Sequence, residues 1–214
     1  MRVVRLSADG GELAGLLPDR APGGRLLLGI TGAPGAGKST LATHLARTAG
    51  AVVVPMDGFH LADVELARRG LLDRKGAPET FDGWGYAALL DRLRERPDHV
   101  VMAPAFEREL EQPLAGAVPV APEADLVVTE GNYLLLDGPP WSAVRAALDA
   151  VWHVVTDDVL RVPRLVDRHV AFGKSPVDAR AWVDRVDRPN AELVEAARSR
   201  ADVVIDLTAW GRPA

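Results

Sequence analysis

The sequence predicts an α/β fold in which helices cover both faces of a parallel sheet. Short apolar runs of strand length alternate along the chain with segments of helical pattern. These runs are mostly not separated by two-residue hairpin turns, so parallel pairing through helical crossovers is expected. With 214 residues, the chain is long enough for one domain with a sizeable core and short for two. We therefore expect a single domain over 1–214.

Six apolar runs are predicted to be strands, at 25–31, 51–56, 99–103, 125–129, 150–155 and 201–207. Helices are predicted at 38–48, 61–70, 85–96, 141–148, 157–169, 176–186 and 189–199. The first strand is apolar almost throughout, as in strands that are buried on both faces. The helix after it should end at Gly50. Residues 104–124 fit the alternation less well, and both an inserted loop and a small β-excursion remain open.

The composition limits the classes of function. A net charge of −5 argues against a dedicated nucleic-acid binder, which normally carries a basic face. The absence of cysteine excludes disulfides, zinc–thiolate sites and thiol catalysis. No apolar run approaches the ~20 residues of a membrane span, and the first ten residues lack a signal-peptide core. We expect a cytoplasmic enzyme with neither a nucleic-acid nor a membrane partner.

Residues 32–39 match the phosphate-binding pattern G-x-x-x-x-G-K-[ST] at every fixed position. The segment follows a predicted strand and opens a predicted helix, where backbone N–H groups can cradle phosphates. Lys38 should reach the β- and γ-phosphates, and the Ser39 hydroxyl should ligate Mg²⁺. The fold is thus of the P-loop NTPase type. The nucleotide-binding residues predicted here are Gly32, Ala33, Pro34, Gly35, Ala36, Gly37, Lys38, Ser39 and Thr40.

Two carboxylates follow predicted strands and should lie beside this loop. Asp57 follows the second predicted strand and Glu130 the fourth, and the carboxyl ends of parallel strands collect the chemistry of such sheets. Phosphoryl transfer to a hydroxyl needs a carboxylate that orients it and accepts its proton, a role that suits Asp57. It also needs an acidic group that holds Mg²⁺, a role that suits Glu130.

Four blocks occur in the order found in a known kinase group: the P-loop, Met56-Asp-Gly-Phe-His60, residues 74–82 and Glu130-Gly-Asn-Tyr133. Together, over about 25–207, they resemble the uridine kinase, type I pantothenate kinase and phosphoribulokinase group, and most closely the bacterial nucleoside/nucleotide kinase family proteins. The resemblance implies transfer of the γ-phosphoryl group of ATP, with Mg²⁺, to a hydroxyl of a small molecule. The acceptor could be a nucleoside, a pantothenate-like alcohol or a sugar. A homodimer stays open.

The resemblance also assigns residues. Asp57 resembles the catalytic base, Asp82 the acidic residue that contacts acceptor hydroxyls, and Glu130 the magnesium-linked glutamate. Phe106 matches an aromatic position beside the acceptor, where relatives often have tyrosine, and this departure leaves the acceptor's identity open. Acceptor contacts are expected from insertions at about 58–84 and 104–124. The predicted substrate-binding residues are Asp57, Phe59, His60, Lys75, Asp82, Phe106, Asn132, Tyr133 and Asn190.

A basic segment near residue 170 resembles the lid of such kinases, over about 161–188. Arg161, Arg164 and Arg168 recur at helical spacing and so share a face. The resemblance makes Arg168 catalytic, beside Asp57 and Lys38, and assigns Arg164 and Lys174 to the nucleotide. A solvated basic face is the other interpretation of Arg161 and Arg164.

The alternative function is a nucleotide-dependent regulatory ATPase or switch without a small acceptor. Such a protein needs a water-positioning residue and switch loops that order around the γ-phosphate. No guanine-reading block is evident, and the basic lid favours a kinase. A non-catalytic nucleotide sensor is disfavoured because Lys38, Ser39 and Asp57 are all present.

Overall fold

A computed structural model describes residues 2–20 and 22–211 of the chain. The single-domain expectation covers 1–214, and five of these residues, at 1, 21 and 212–214, lie outside the described residues. The strands in this part of the chain are β1 Arg2–Arg5, β2 Leu26–Thr31, β3 Val52–Pro55, β4 Val101–Glu107, β5 Gln112–Val120, β6 Leu126–Glu130, β7 Ala150–Val155 and β8 Val203–Asp206. The α-helices are α1 Lys38–Ala49, α2 Asp63–Arg69, α3 Gly83–Arg94, α4 Trp141–Ala146, α5 Asp158–Ala171, α6 Pro176–Trp182 and α7 Arg188–Ala196.

Six strands form one parallel sheet in the order β1-β8-β7-β2-β6-β3. The central strand β2 pairs with β6 on one side, with Leu28 opposite Val128, and with β7 on the other, with Ile30 opposite Trp152. All five pairings are parallel, so the predicted fold class is confirmed. In the described ranges, no helix is both long and apolar enough to cross a bilayer.

Helices cover both faces of this sheet, because successive side chains of a strand point to opposite faces. Leu27 and Val127 belong to the core cluster on the face covered by α3 and α4. The next residues along the same strands, Leu28 and Val128, belong to the cluster on the face covered by α1. Strands buried on both faces explain why the runs in β2, β6 and β7 are continuously apolar.

The strand predicted at 99–103 lies outside the parallel sheet. It begins at Val101 as β4 and pairs antiparallel with β5 in a separate two-stranded sheet. Of the two interpretations open for 104–124, the β-excursion is therefore confirmed. The hairpin packs against a 3₁₀ turn, Met56–Phe59, that directly follows β3. This contact brings the hairpin next to the end of the parallel sheet.

Two other features differ from the sequence-based expectation. Strand β1 was not predicted, because it lacks an apolar run; it is an edge strand that pairs with β8 through its backbone. The predicted break at 187–188 is wrong, because a π-helical turn, Val183–Asp187, joins α6 to α7. Pro189 cannot donate a hydrogen bond to an α-helical ladder, and it stands in the first turn of α7, where this donor is not needed.

Candidate active site

The P-loop connects the end of β2 to the start of α1, as predicted. Gly32 has a φ of 153°, and a Cβ atom there would lie 2.4 Å from the backbone oxygen of Val154. Only glycine fits this close approach between the loop and β7. Helix α1 begins at Lys38, so its N-terminal N–H groups and its positive end face the cleft at the carboxyl edge of the sheet.

The Lys38 ammonium lies within the P-loop and is almost fully buried. Its Nζ donates to the carbonyl oxygens of Gly32 and Ala33, at 2.9 and 3.2 Å, and to Oδ1 of Asn132 at 2.6 Å. Burial lowers the pKa of Lys38 to about 8, against the opposing charges of Glu130 and Asp57. Asn132, which was predicted to bind the acceptor, thus lies in the cleft as a partner of Lys38.

Ser39 and Glu130, the two predicted magnesium residues, lie side by side. The Ser39 hydroxyl donates to Oε1 of Glu130 at 3.0 Å. Burial, and next the charge of Asp57, raise the pKa of Glu130. The described ranges contain no cluster of three or more His, Asp or Glu side chains suited to a metal. The hydroxyl and carboxylate oxygens of Ser39 and Glu130 are donors that fit Mg²⁺ with its other ligands from phosphates and water.

Asp57 lies in the 3₁₀ turn after β3 and lines the same cleft as Ser39 and Glu130. Its carboxylate is about one-third exposed, and its Oδ2 accepts a hydrogen bond from Nη2 of Arg108 at 3.2 Å. Arg108 directly follows β4 in the hairpin turn and was not predicted. Arg108 contacts a residue 51 positions away in the chain, a pairing that no local pattern reveals. The only signal for Arg108 in the sequence was its place in the segment 104–124.

An aromatic wall lies beside Asp57. The His60 ring lies 4.0 Å from that of Phe81 and 4.9 Å from that of Phe106, between ring centroids. His60 Nδ1 lies 2.9 Å from the carbonyl oxygen of Asp57, so this nitrogen must carry the proton. Burial lowers the pKa of His60 and favours the neutral ring. The cleft therefore combines polar phosphate-binding groups with an apolar wall, within a cavity of about 350 Å³.

Lys75 lines the cleft and also holds two segments together. Its Nζ donates to Oδ1 of Asp63 at 2.7 Å and to the carbonyl oxygen of Glu111 in the hairpin turn at 2.5 Å. The next residue, Gly76, accepts hydrogen bonds at its carbonyl oxygen. The donors are the Tyr133 hydroxyl and, at 3.3 Å, Asn190 Nδ2. Tyr133 and Asn190 thus anchor the loop that carries Lys75.

The basic residues of α5 have different surroundings although their spacing is helical. Arg161 is buried, and its Nη1 donates to the Pro34 carbonyl oxygen of the P-loop at 2.9 Å. Arg164 is exposed and does not line the cleft. Arg168 does line it, and burial, then the charge of Arg108, lowers its pKa. Lys174 also lines the cleft, with its Nζ 4.6 Å from the Trp182 ring centroid.

Among the predicted side chains, Tyr133, which is fully buried, and also Asp82, Phe59 and Thr40 do not line the cleft. Asp82 is the exposed N-cap of α3, where its Oδ1 accepts a hydrogen bond from the Gly85 N–H at 2.8 Å. Phe59 packs against Tyr86, with ring centroids 4.9 Å apart. Thr40 is exposed in the first turn of α1. The assignments of Asp82 and Phe59 to the acceptor and of Thr40 to the nucleotide therefore have no support in this geometry.

The chain is similar to proteins of the kinase group that its motifs resemble. No family model matches it. A Schizosaccharomyces pombe protein named "Putative uridine kinase C227.14" is 31% identical over 194 residues, which cover 85% of this chain and 83% of that protein. The Escherichia coli protein YggC is 34% identical over 199 residues, with coverages of 89% and 81%.

A solved structure agrees with these relatives. The crystal structure of a "putative fructose transport system kinase" from Silicibacter sp. TM1040 matches with a TM-score of 0.79 and 42% identity, and the match covers 90% of this chain and 94% of that one. The identities and coverages hold over most of each protein, so the likeness is not limited to the P-loop. The chain therefore belongs to the P-loop kinase group that comprises uridine kinase, type I pantothenate kinase and phosphoribulokinase.

Proposed function

We propose that this kinase transfers the γ-phosphoryl group of Mg·ATP to a hydroxyl of a nucleoside, a pantothenate-like alcohol or a sugar. The observation that carries the proposal is the position of Asp57, whose carboxylate lines the same cleft as Lys38, Ser39 and Glu130. A carboxylate beside a phosphate-binding loop can orient an acceptor hydroxyl and take its proton. The aromatic wall of His60, Phe81 and Phe106 beside this carboxylate offers an apolar surface for an organic acceptor, which a protein that only hydrolysed the nucleotide would not need.

In the proposed reaction, the P-loop N–H groups and Lys38 hold the β- and γ-phosphates. Mg²⁺, held by Ser39, Glu130 and phosphate oxygens, would neutralise charge that develops on the phosphates. The acceptor oxygen forms a bond to the γ-phosphorus while the bond to the β–γ bridging oxygen breaks. The hydroxyl proton passes to the Asp57 carboxylate, and ADP leaves with the bridging oxygen.

The segment from α5 through α6 serves in this proposal as the lid. Arg168 and Lys174 line the cleft from this segment and supply positive charge for the transferring phosphoryl group. Gly173, at φ 94°, lies between the two helices and can act as a hinge. Closure would exclude water, which otherwise competes with the acceptor and hydrolyses ATP.

The first test measures ATP turnover with and without a panel of nucleosides, pantothenate and sugars. We expect at least one acceptor to stimulate turnover and to appear as its phosphate ester. ATP hydrolysis that no acceptor changes would contradict the kinase proposal and would favour the regulatory ATPase.

The second test replaces the proposed base. Asp57→Asn should lose most of kcat, on the order of 100- to 10,000-fold, because the hydroxyl proton then has no acceptor. ATP affinity should be retained, because the P-loop is unchanged. Asp91→Asn, on the exposed face of α3, is the matched control and should behave as wild type. Near-normal turnover of Asp57→Asn would remove this residue as the base.

A further inference from the structure

Arg108 is placed by the fold at the acceptor end of the cleft. It follows β4 in the hairpin turn, and its side chain lines the cleft together with Phe106. Its guanidinium carbon lies 5.7 Å from the ring centroid of Phe106 and 5.8 Å from that of Phe172, which follows α5. Two rings on different segments therefore restrict where the guanidinium can lie, as in cation–π contacts.

The turn that carries Arg108 is itself held in place. Lys75 Nζ donates to the Glu111 carbonyl oxygen within this turn, and its second partner, Asp63, lies at the start of α2. Lys75 is thus a positioning residue for the hairpin. The Lys75 ammonium is 14% exposed and is shared between Asp63 and the Glu111 carbonyl oxygen. Arg108 is 41% exposed and makes one side-chain hydrogen bond among the described residues, so it is the better candidate to bind a ligand from this side.

The hydrogen-bonding capacity of Arg108 is mostly unused. A guanidinium has five N–H donors, and within the described residues that of Arg108 makes one hydrogen bond, to Asp57. That bond, at 3.2 Å, is longer than the usual 2.7–2.9 Å of charge-assisted pairs. The side chain is 41% exposed, so its remaining donors are accessible from the cleft. A planar cation with free donors is suited to bind carboxylate or phosphate oxygens in a bidentate manner.

The hydrogen-bond partner of Arg108 is Asp57, the proposed base. An acceptor that binds Arg108 would therefore also affect the base. While Arg108 donates to Oδ2 of Asp57, this ion pair holds the carboxylate towards the hairpin turn. An acceptor with its own anionic group can replace Asp57 as the partner of Arg108 and free the carboxylate. A neutral acceptor would have to break the same pair without replacing it, which leaves the cation unpaired.

We propose that the acceptor carries a carboxylate or phosphate group besides its hydroxyl, and that Arg108 binds this anion and so releases Asp57 to act as the base. The inference rests on the proposed function and narrows it to a substrate class, anionic alcohols. Within the acceptor classes considered above, it favours acids of the pantothenate type and phosphorylated sugars over unmodified nucleosides and neutral sugars.

The test compares acceptors paired so that a neutral hydroxyl replaces the anionic group: D-glycerate with glycerol, pantothenate with pantothenol, and ribose 5-phosphate with ribose. We expect the anionic member of at least one pair to have a kcat/KM about 10- to 100-fold above that of its neutral partner, the range for one charge-assisted contact. The carboxylate and phosphate pairs separate the two sources of the anion. Binding of each acceptor in the presence of a non-hydrolysable ATP analogue, measured by calorimetry, should show the same preference.

Variants of Arg108 test whether this residue causes the preference. Arg108→Gln should raise KM for the anionic acceptor about 10- to 100-fold and should not weaken use of the neutral partner, which no longer has to break the Arg108–Asp57 pair, so the preference disappears. Arg108→Lys should rescue phosphate acceptors better than carboxylates, because an ammonium keeps the charge but loses the bidentate geometry. Arg92→Gln, at an exposed position of α3, is the control and should keep the preference.

Three outcomes would overturn the inference, and they differ from one another. If the neutral partner of every pair is used as well as the anionic one, the acceptor class is wrong while the kinase proposal stands. If Arg108→Gln lowers kcat equally for both members of a pair, Arg108 acts on the transferring phosphoryl group instead. If no acceptor of any kind is phosphorylated, the proposed function fails, and the inference fails with it.

Discussion

Gly58 allows the β4–β5 hairpin to contact the turn that carries Asp57, and its replacement by alanine should disturb both stability and turnover. A Cβ atom at Gly58 would lie 2.5 Å from the carbonyl oxygen of Pro104 and 2.6 Å from its carbonyl carbon. Ordinary van der Waals contact begins at 3.4 Å, so the methyl group would be almost 1 Å too close to β4. The atoms in its way are backbone, which cannot rotate aside as a side chain would.

The size of the effects of Gly58→Ala depends on how firmly the turn and β4 are held. The turn is fixed by the hydrogen bond from Asp82 N to the Phe59 carbonyl oxygen at 2.8 Å, and β4 is fixed by its pairing with β5. Overpacking of this kind costs about 1–3 kcal/mol. For a chain of this size, the cost corresponds to a Tm decrease of about 2–12 °C. A displacement of about 1 Å beside the proposed base would also lower kcat on the order of 100-fold.

Thermal unfolding followed by tryptophan fluorescence, and steady-state turnover with the best acceptor, measure the two effects. Gly15→Ala is the control, because a Cβ there meets no atom within 4 Å and the backbone has an ordinary φ. ATP affinity should be unchanged in both variants, because neither residue belongs to the P-loop. A Tm and a kcat of Gly58→Ala that both equal those of Gly15→Ala would refute the steric argument.

Two predictions concern buried charges of the phosphate site. The pKa of Glu130 is raised from its usual 4.5, so its charged form is less favourable in the folded protein, and stability falls as the pH rises above about 4.5. Glu130→Gln should therefore raise Tm relative to wild type at pH 8 but not at pH 4, and it should increase the Mg²⁺ concentration needed for turnover. A Tm difference from wild type that is the same at both pH values would contradict this. Lys38 has a pKa of about 8 against 10.5 when unperturbed, so the unfolded chain binds more protons between these values. In urea unfolding, the free energy of unfolding of wild type should rise by up to about 3 kcal/mol relative to that of Lys38→Met between pH 8 and 10.5. A difference that stays constant over this pH range would refute the prediction.

The phosphate-binding half of the cleft could be predicted from the sequence because its residues are placed by local rules. The P-loop lies between one strand and one helix, and Lys38 and Ser39 occupy the first turn of that helix. Glu130 follows from the register of neighbouring strands, since it lies opposite Ile30 in β2. In both cases, the position in a strand or helix determines the position in space.

The proposed acceptor half of the cleft could be predicted only in part, because its contacts join distant segments. Arg108 meets Asp57 only through the packing of a separate hairpin, whose place beside the sheet no periodicity reveals. Asp82 has the residue type expected of an acceptor contact, yet α3 begins directly after it and uses its carboxylate as a cap. Sequence spacing could not separate these roles, because aspartate is favoured both at helix N-termini and in active sites.

Helix α5 shows most clearly what packing adds to a periodic pattern. Arg161 and Arg168 are seven residues apart, which places them on one face about 10 Å apart along the axis. The first is buried and supports the P-loop through Pro34, whereas the second lines the cleft. One helix therefore connects the phosphate-binding loop to a cationic side chain in the cleft. Because Arg161 ties the start of α5 to the P-loop, Arg168 on the same helix keeps its place in the cleft, and a hinge at Gly173 would move the part of the proposed lid that begins with α6.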